Sequence, residues 1–424
     1  MIVDEDSDSS TQLPSDSFCI IPWIHLNTHP NGDVMHCCIT DKSGVVGSLK
    51  QDTLADIWNN DKMKALRLQL LAGDKPYSCR KCYEQEDNSI RSFRNSANWL
   101  FDHHIDQAQG WTNSDGSIDD MRLRYWDFRF SNLCNMKCRM CGHHASSAWH
   151  GDMIDLYGPG SVSKDVVIRT VDNSVDDLYT ILDQQIDNVE EIYFAGGEPL
   201  IMDEHYYILE KLIKQGRKDV KIRYNTNLLK IRYKNWDNLD LWSNFDQIDI
   251  MASLDAMGAR GEYIRSGTVW HSIDENIRRL IASPNVTFHV QPTIQVLNIL
   301  HLPDFVDYLF DCGLDSRLLH LNNVLTSPRQ YHINTLDDDY KAQVAASFSD
   351  HVGRISNPHT AAFLRQSYDA IISYMNTKSD RSAAERADIH RSFLKQTTGL
   401  DKLRSEDFLE TFPELAAHYN KKIA

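Results

Sequence analysis

The chain has 424 residues, of which 42% are hydrophobic and 25% charged, with a formal net charge of −16. This is an ordinary globular composition, long enough for two or three domains, and no apolar run reaches the length of a membrane span. The acidic balance argues against a nucleic-acid backbone as partner. The nine cysteines follow a start, MIVDEDSDSSTQLPSDS, that has neither the basic nor the apolar region of a signal peptide, so they point to metal in the cytoplasm rather than to disulfides.

Residues 1–17 read as a disordered acidic tail. Residues 18–100 form a small first module. Within it, Asn31-Gly32 predicts a two-residue turn between the strands IHLNTH and VMHCC, which brings Cys19 and Cys37 to one end of a hairpin. A helix is predicted over 53–71, with Thr53 and Asp56 as its capping box and Leu54, Ile57, Trp58, Leu66 and Leu70 on one face. Cys79-Arg-Lys-Cys82 follows. Cys19, Cys37, Cys79 and Cys82 can close a tetrahedral four-sulfur site, which chemistry alone allows to be zinc or an iron–sulfur cluster. Arg91 and Arg94 read as solvated, and 101–120 reads as a polar linker.

Residues 121–326 alternate strand with helix. The strand-like runs are 121–130, 189–195, 220–226, 246–254, 286–296 and 317–324, with helices such as 203–216 and 271–283 between them. Six such units imply an α/β fold with a parallel sheet and helices outside it, and place function at the C-terminal ends of the strands. Cys312 stands alone and reads as a buried thiol. Residues 327–424 read as a charged helical extension with scattered apolar positions at Leu400, Leu403, Phe408, Phe412 and Leu415.

The chemistry concentrates in Cys134-Asn-Met-Lys-Cys138-Arg-Met-Cys141, a CxxxCxxC pattern behind the first of these strands. Three soft ligands in eight residues can hold three irons of a 4Fe–4S cluster and leave the fourth open. Taken alone, the stretch also admits structural zinc, with His143 or His144 as fourth ligand. Further on, VEEIYFAGGEPL runs an apolar strand into Gly196-Gly197-Glu198-Pro199, where two glycines allow close backbone approach and a carboxylate follows at the strand mouth.

The two motifs together resemble those of the radical S-adenosylmethionine (SAM) enzymes. The resemblance implies a partial (β/α)6 barrel. It implies that Cys134, Cys138 and Cys141 bind the catalytic 4Fe–4S cluster, whose open iron chelates SAM. It also implies that Gly196, Gly197 and Glu198 line the SAM site, with Asn227, Ser253, Arg265 and Asn298 as polar contacts at the strand ends. Met140 stands where the family often has an aromatic residue near the adenine. The first module resembles the twitch domain, the half-size form of the SPASM domain. That likeness implies an auxiliary 4Fe–4S cluster on Cys19, Cys37, Cys79 and Cys82, with Cys37 preferred to its neighbour Cys38 because it keeps the Gly32-x4-Cys spacing. The family usually places this module after the barrel; here it comes first.

The resemblance further implies reductive cleavage of SAM to a 5′-deoxyadenosyl radical that takes a hydrogen atom from substrate, fed by an external reductant such as flavodoxin or ferredoxin. An auxiliary cluster closed by four thiols suits electron transfer, hence a net oxidation. The expected substrate is a peptide or protein side chain, as in relatives carrying SPASM or twitch domains. A small metabolite such as a sugar is the alternative, and a non-catalytic iron–sulfur or zinc protein is a third reading that leaves GGEP unexplained.

Overall fold

The structure is a computed structural model that describes residues 12–171, 175–377 and 382–420. Residues 1–11 of the acidic tail lie outside the described residues. The chain folds into two compact units whose segments interleave. The first comprises Met1–Asn132, Val167–Arg223 and Asn244–Asp246; the second comprises Leu133–Val166, Tyr224–Ser243 and Gln247–Ala424.

In the first unit, β1 (His25–Thr28), β2 (Asp33–Met35) and β3 (Val45–Ser48) are antiparallel neighbours. The hairpin forms, but its turn is centred one residue earlier than the two-residue turn expected at Asn31-Gly32: the Gly32 N–H donates to the His29 carbonyl (2.9 Å), which makes Pro30 and Asn31 the central residues. Gly32 takes φ +93°, a left-handed conformation that glycine adopts at no steric cost, and the Asn31 side chain accepts from the Asp33 N–H (3.2 Å). β1 has a second neighbour that hairpin reasoning does not supply. It runs parallel to β4 (Tyr125–Phe128), His25 beside Tyr125 and Asn27 beside Asp127. β6 (Glu191–Phe194) follows on the other side of β4, and the first half of β7 (Lys221–Thr226) beyond it, giving the order β7-β6-β4-β1-β2-β3. All four residues of β1 are buried, as expected of a strand with neighbours on both edges and covered faces.

The short helix Leu54–Trp58 carries the predicted box: Thr53 Oγ1 accepts from the Asp56 N–H and Asp56 returns the bond to the Thr53 N–H. The helix Asp203–Lys214 buries Tyr206, Ile208, Leu209 and Leu212, each large apolar side chain stabilising the unit by about 1.5–3 kcal/mol. Ser15 Oγ donates to the Leu70 carbonyl (2.5 Å), and Ser17 is buried with its carbonyl accepting from Tyr83 Oη (3.2 Å). The packed chain therefore begins before Phe18.

The second unit starts with β5 (Lys137–Cys138) and takes the second half of β7. It adds the small hairpin β8 (Arg232–Tyr233) and β9 (Trp236–Asp237), then β10 (Ile248–Ala252), β11 (Arg265–Ser266) and β12 (Val286–Val290). β10 and β12 run parallel from Ile248 beside Val286 to Ala252 beside Val290. The helix Trp270–Ile281 crosses between them, burying Ile273, Ile277 and Leu280 at helical spacing. The sixth strand expected over 317–324 is reduced. Ser316–Leu318 is a 3₁₀ turn, and only the isolated parallel bridges Val290–Leu319 and Ile294–Val324 remain of the pairing.

Among the described residues the chain closes with the helices Asp338–Arg354, Pro358–Met375, Ala383–Arg404, Phe408–Thr411 and Pro413–Asn420. Phe393, Phe408, Phe412 and Tyr419 form one aromatic cluster among them. Cys312 is half-buried rather than fully buried, beside Tyr308. No described helix is long and apolar enough to cross a membrane.

Candidate active site

In the second unit the cysteine loop is held by its backbone. β5 pairs antiparallel with β11, placing Cys138 opposite Arg265. The Arg139 N–H donates to the Ile264 carbonyl and the Cys141 N–H to the Cys138 carbonyl, both at 2.9 Å. Trp149 Nε1 donates to the same Cys138 carbonyl (2.9 Å), Ser146 Oγ to the Met136 carbonyl (2.6 Å), and Ser147 Oγ accepts from the Cys134 N–H (3.2 Å). A short loop with this many fixed carbonyls and amides presents its three sulfurs on a stiff frame.

The sulfurs interact with one another. Cys141 hydrogen-bonds Cys138, and that bond, reinforced by the Arg265 guanidinium, lowers the Cys138 thiol to about 7 against the burial that would raise it. Cys141 moves the opposite way, since it gives the bond and faces the charge of Cys138, with Cys134 adding to the effect. Arg265 Nη1 donates to Cys138 Sγ (3.6 Å), and Asn227 Nδ2 reaches Cys134 Sγ (3.9 Å) while bonding Asn135 Oδ1 (2.7 Å). Three converging thiols, one already biased to thiolate, fit an iron–sulfur cluster held at three corners.

The strand-end residues divide by what their side chains do. Arg265 is clamped by Asp255, with Nη2–Oδ1 at 3.1 Å and Nε–Oδ2 at 2.8 Å. Asp255 is fully buried and accepts from the Thr293 N–H (2.7 Å). Sequence reasoning passed over Asp255, although it stands two residues after Ser253; Ser253 itself is half-buried, and its N–H donates to the Thr226 carbonyl (2.8 Å). Asn298 is committed to backbone: Nδ2 donates to the carbonyls of Asp255 (3.1 Å) and Thr293 (3.0 Å), and Oδ1 accepts from the Gln295 N–H (2.8 Å). That amide shapes the strand-end loops. Met140 is half-buried. His143 is buried and His144 exposed, their rings 3.8 Å apart.

The first unit holds the other two groups. After β6, Gly196 and Gly197 both take positive φ, +81° and +50°. A Cβ on Gly196 would stand 2.8 Å from Arg129 Cβ, so only glycine fits there. Glu198 is buried, and its Oε1 accepts from the Leu200 N–H (3.1 Å) at the 3₁₀ turn Pro199–Ile201.

Cys19, Cys37, Cys79 and Cys82 line one cavity with Ile21, Pro22, His36 and Arg94. Burial raises the Cys19 thiol far above its ordinary range, with Cys79 and Cys82 adding to the effect, and raises Cys79 to about 11. Cys19, Cys79 and Cys82 act on one another electrostatically, and a cavity lined by four sulfurs suits a soft metal centre. Cys38 is outside the cavity lining; its thiol hydrogen-bonds that of Cys37, with Asp127 and Arg129 near it. Arg94, expected to be solvated, is buried: it pairs with Glu86 (2.5 Å) and donates to the carbonyls of Asp16 (3.0 Å) and Phe18 (2.9 Å), tying both flanks of the thiol cavity.

One face of this unit's sheet is polar. The register puts His25 and Asn27, Tyr125 and Asp127, and Glu191 on the same side of β1, β4 and β6. Arg129 bonds Asp127 (3.2 Å) and Arg223 bonds Glu191 (3.0 Å). Elsewhere His103 and His104 converge on Glu190 (3.0 and 2.8 Å), but Arg124 shares the Glu190 Oε1 (2.7 Å), and the group closes as an ion network.

Comparison with known proteins agrees with the division of chemistry between these regions. Residues 128–311 match the radical SAM superfamily, and residues 19–83 match the SPASM iron–sulfur cluster-binding domain. No curated protein matches the chain. Among solved structures, Streptococcus suis SuiB bound to the precursor peptide SuiA is similar at TM-score 0.33 and 12% identity, over 69% of this chain and 61% of that one. The chain carries a radical SAM domain with a SPASM-type domain ahead of it, and with them a 4Fe–4S site for SAM and an auxiliary iron–sulfur site.

Proposed function

We propose that this SAM-dependent iron–sulfur enzyme is an oxidoreductase that modifies a peptide or protein side chain. In this reading 18–100 is the auxiliary module, 121–326 the catalytic barrel and 327–424 its helical extension. When bound, the cluster and SAM supply a 5′-deoxyadenosyl radical that takes a hydrogen atom from substrate. The residues do the rest. Cys134, Cys138 and Cys141 hold the cluster at three corners, and Arg265, fixed by Asp255, directs a hydrogen bond at Cys138. By the family resemblance Gly196, Gly197 and Glu198 would be SAM-binding residues, as would Asn227, Ser253 and Met140.

The observation that carries the reading is the contrast between the two thiol sets. Three sulfurs converge at the strand ends, a number that leaves one iron open, whereas four line the N-terminal cavity, a number that closes a cluster. A closed cluster accepts electrons and does not bind substrate, which favours a net two-electron oxidation. The peptide substrate rests on the family resemblance of the two-domain arrangement. The polar face of Asn27 and Asp127, both buried, with the half-buried Arg129 and Arg223, would equally hold a small polyhydroxylated metabolite, which is the second reading.

The deciding experiment is anaerobic reconstitution with iron and sulfide, followed by SAM and a strong reductant. About eight irons per chain, the sum of two four-iron clusters, together with 5′-deoxyadenosine support the reading. Loaded clusters that never yield deoxyadenosine favour a non-catalytic iron–sulfur protein. Transfer of deuterium into deoxyadenosine from a labelled peptide, or from a labelled sugar, separates the two substrate classes.

A further inference from the structure

We propose that the C-terminal extension is a clasp on the cluster loop, with Arg139 and Arg404 as its two positioning residues; the inference rests on the assignment of Cys134, Cys138 and Cys141 as cluster ligands. Arg139 lies inside the CxxxCxxC stretch, directly after Cys138, and its side chain is wholly buried. Its Nη2 meets Asp401 Oδ1 and Glu406 Oε2, each at 2.5 Å, where the helix Ala383–Arg404 ends. Its guanidinium stacks 3.6 Å over the Tyr263 ring, and Nε donates to the Tyr263 carbonyl (3.2 Å). Tyr263 Oη in turn donates to Asp401 (2.8 Å), and Asp401 Oδ2 accepts from the Phe408 N–H (2.9 Å). One carboxylate thus ties the loop, the strand-end helix and the extension together.

The second bolt runs the other way. Arg404, 2% exposed, reaches from the extension into the loop. Nε bonds Asp152 (2.8 Å), Nη1 donates to the Lys137 carbonyl (2.9 Å), and the guanidinium covers Trp149, which itself holds the Cys138 carbonyl. The carbonyls of residues 137 and 138 are therefore both set by groups that the extension positions.

Burying two guanidinium groups is costly, and apolar packing would anchor a helix as well or better. What ion pairs add is direction. A bidentate or two-acceptor guanidinium fixes orientation as well as distance, and a cluster site tolerates misplacement of only about 0.5 Å.

The test uses the full chain, reconstituted anaerobically, and follows the reduced cluster whose electron paramagnetic resonance (EPR) spectrum changes on adding SAM. Arg139→Gln and Glu406→Gln are expected to broaden that spectrum and to speed iron loss from this cluster to a chelator at least 10-fold. Arg139→Lys should recover part of the effect, and the auxiliary cluster should keep its rate. Arg317→Gln, on the surface, serves as control. If Arg139→Gln does not fold, Glu406→Gln, which leaves Asp401 in place, carries the test. Variants that only melt at lower temperature, with spectrum and iron-loss rate unchanged, would overturn the clasp. A wild-type protein with no SAM-sensitive signal would instead overturn the assignment of the site, and the clasp with it.

Discussion

Asp255→Asn probes the arrangement at Cys138 with the smallest change of shape. The amide oxygen can still accept from the Thr293 N–H, so what disappears is charge. Asp255 and Arg265 have side chains 0% and 11% exposed, so solvent screens the pair little. At a separation of about 3 Å and an effective dielectric of about 20, their attraction is on the order of 5 kcal/mol. The loss on neutralising one partner is about 3–5 kcal/mol, because Arg265 is left buried without a counter-charge. Urea unfolding of the iron-free chain should show that loss, and the thermal midpoint should fall by roughly 3–6 °C. The double variant Asp255→Asn with Arg265→Gln, which leaves no orphaned charge, should regain more than half of it. A single variant within about 1 kcal/mol of wild type, or a double variant as poor as the single, would refute the claim that the pair is a desolvated unit.

Cys79→Ala should lower reconstituted iron from about eight to about four per chain and keep SAM cleavage while ending substrate turnover; unimpaired turnover would contradict an electron-transfer role. Gly196→Ala forces a side chain into φ +81° and against Arg129. It should cost about 1–3 kcal/mol and weaken SAM binding at least 10-fold with iron content unchanged, as read by denaturation and equilibrium binding. Burial pushes His25 down to about 4 and His205 down to about 3, from an ordinary 6.5. The unfolded chain therefore takes up these protons first. The stability the two residues contribute is complete above about pH 6.5 and is lost as pH falls towards 4, by about 1.4 kcal/mol per pH unit for each. His25→Gln should flatten the slope of unfolding free energy between pH 6.5 and 4.5 by one proton's worth.

What the sequence disclosed was local. The thiol spacings and the Thr53–Asp56 box each complete their chemistry within a few residues, so composition and offset suffice; the hairpin was legible for the same reason, although its turn centres on Pro30-Asn31. The strands β4, β6, β7, β10 and β12 were readable because each is a short apolar or alternating run closed by turn residues. The second neighbour of β1 was not, since His25 and Asn27 look like the polar face of an isolated hairpin; their burial comes from a pairing 100 residues away. Arg94 misled because surface frequency is a property of arginine, whereas its burial is a property of Glu86 and two carbonyls. Arg139 has no local signal at all: its carboxylates lie 262 and 267 residues downstream.

Around Cys138 the cations Lys137, Arg139, Arg265 and Arg404 face the carboxylates of Asp152, Asp255, Asp401 and Glu406. Each positive group has an acidic partner, so the loop offers a cluster little net field. Arg265 aims a hydrogen bond at a ligand sulfur, that of Cys138. A cluster on three thiolates is anionic and becomes more so on reduction, and a donor to sulfur stabilises the reduced form. Removing that donor should therefore make the cluster harder to reduce. Arg265→Gln alone would confound this by exposing the cluster to the unpaired Asp255 carboxylate, so the informative protein is the double variant with Asp255→Asn. Its midpoint potential, from an EPR-monitored redox titration, should lie a few tens of mV below wild type, since 59 mV corresponds to a tenfold change for one electron. An unchanged or higher potential would mean that Arg265 serves the shape of the site and not its electronics.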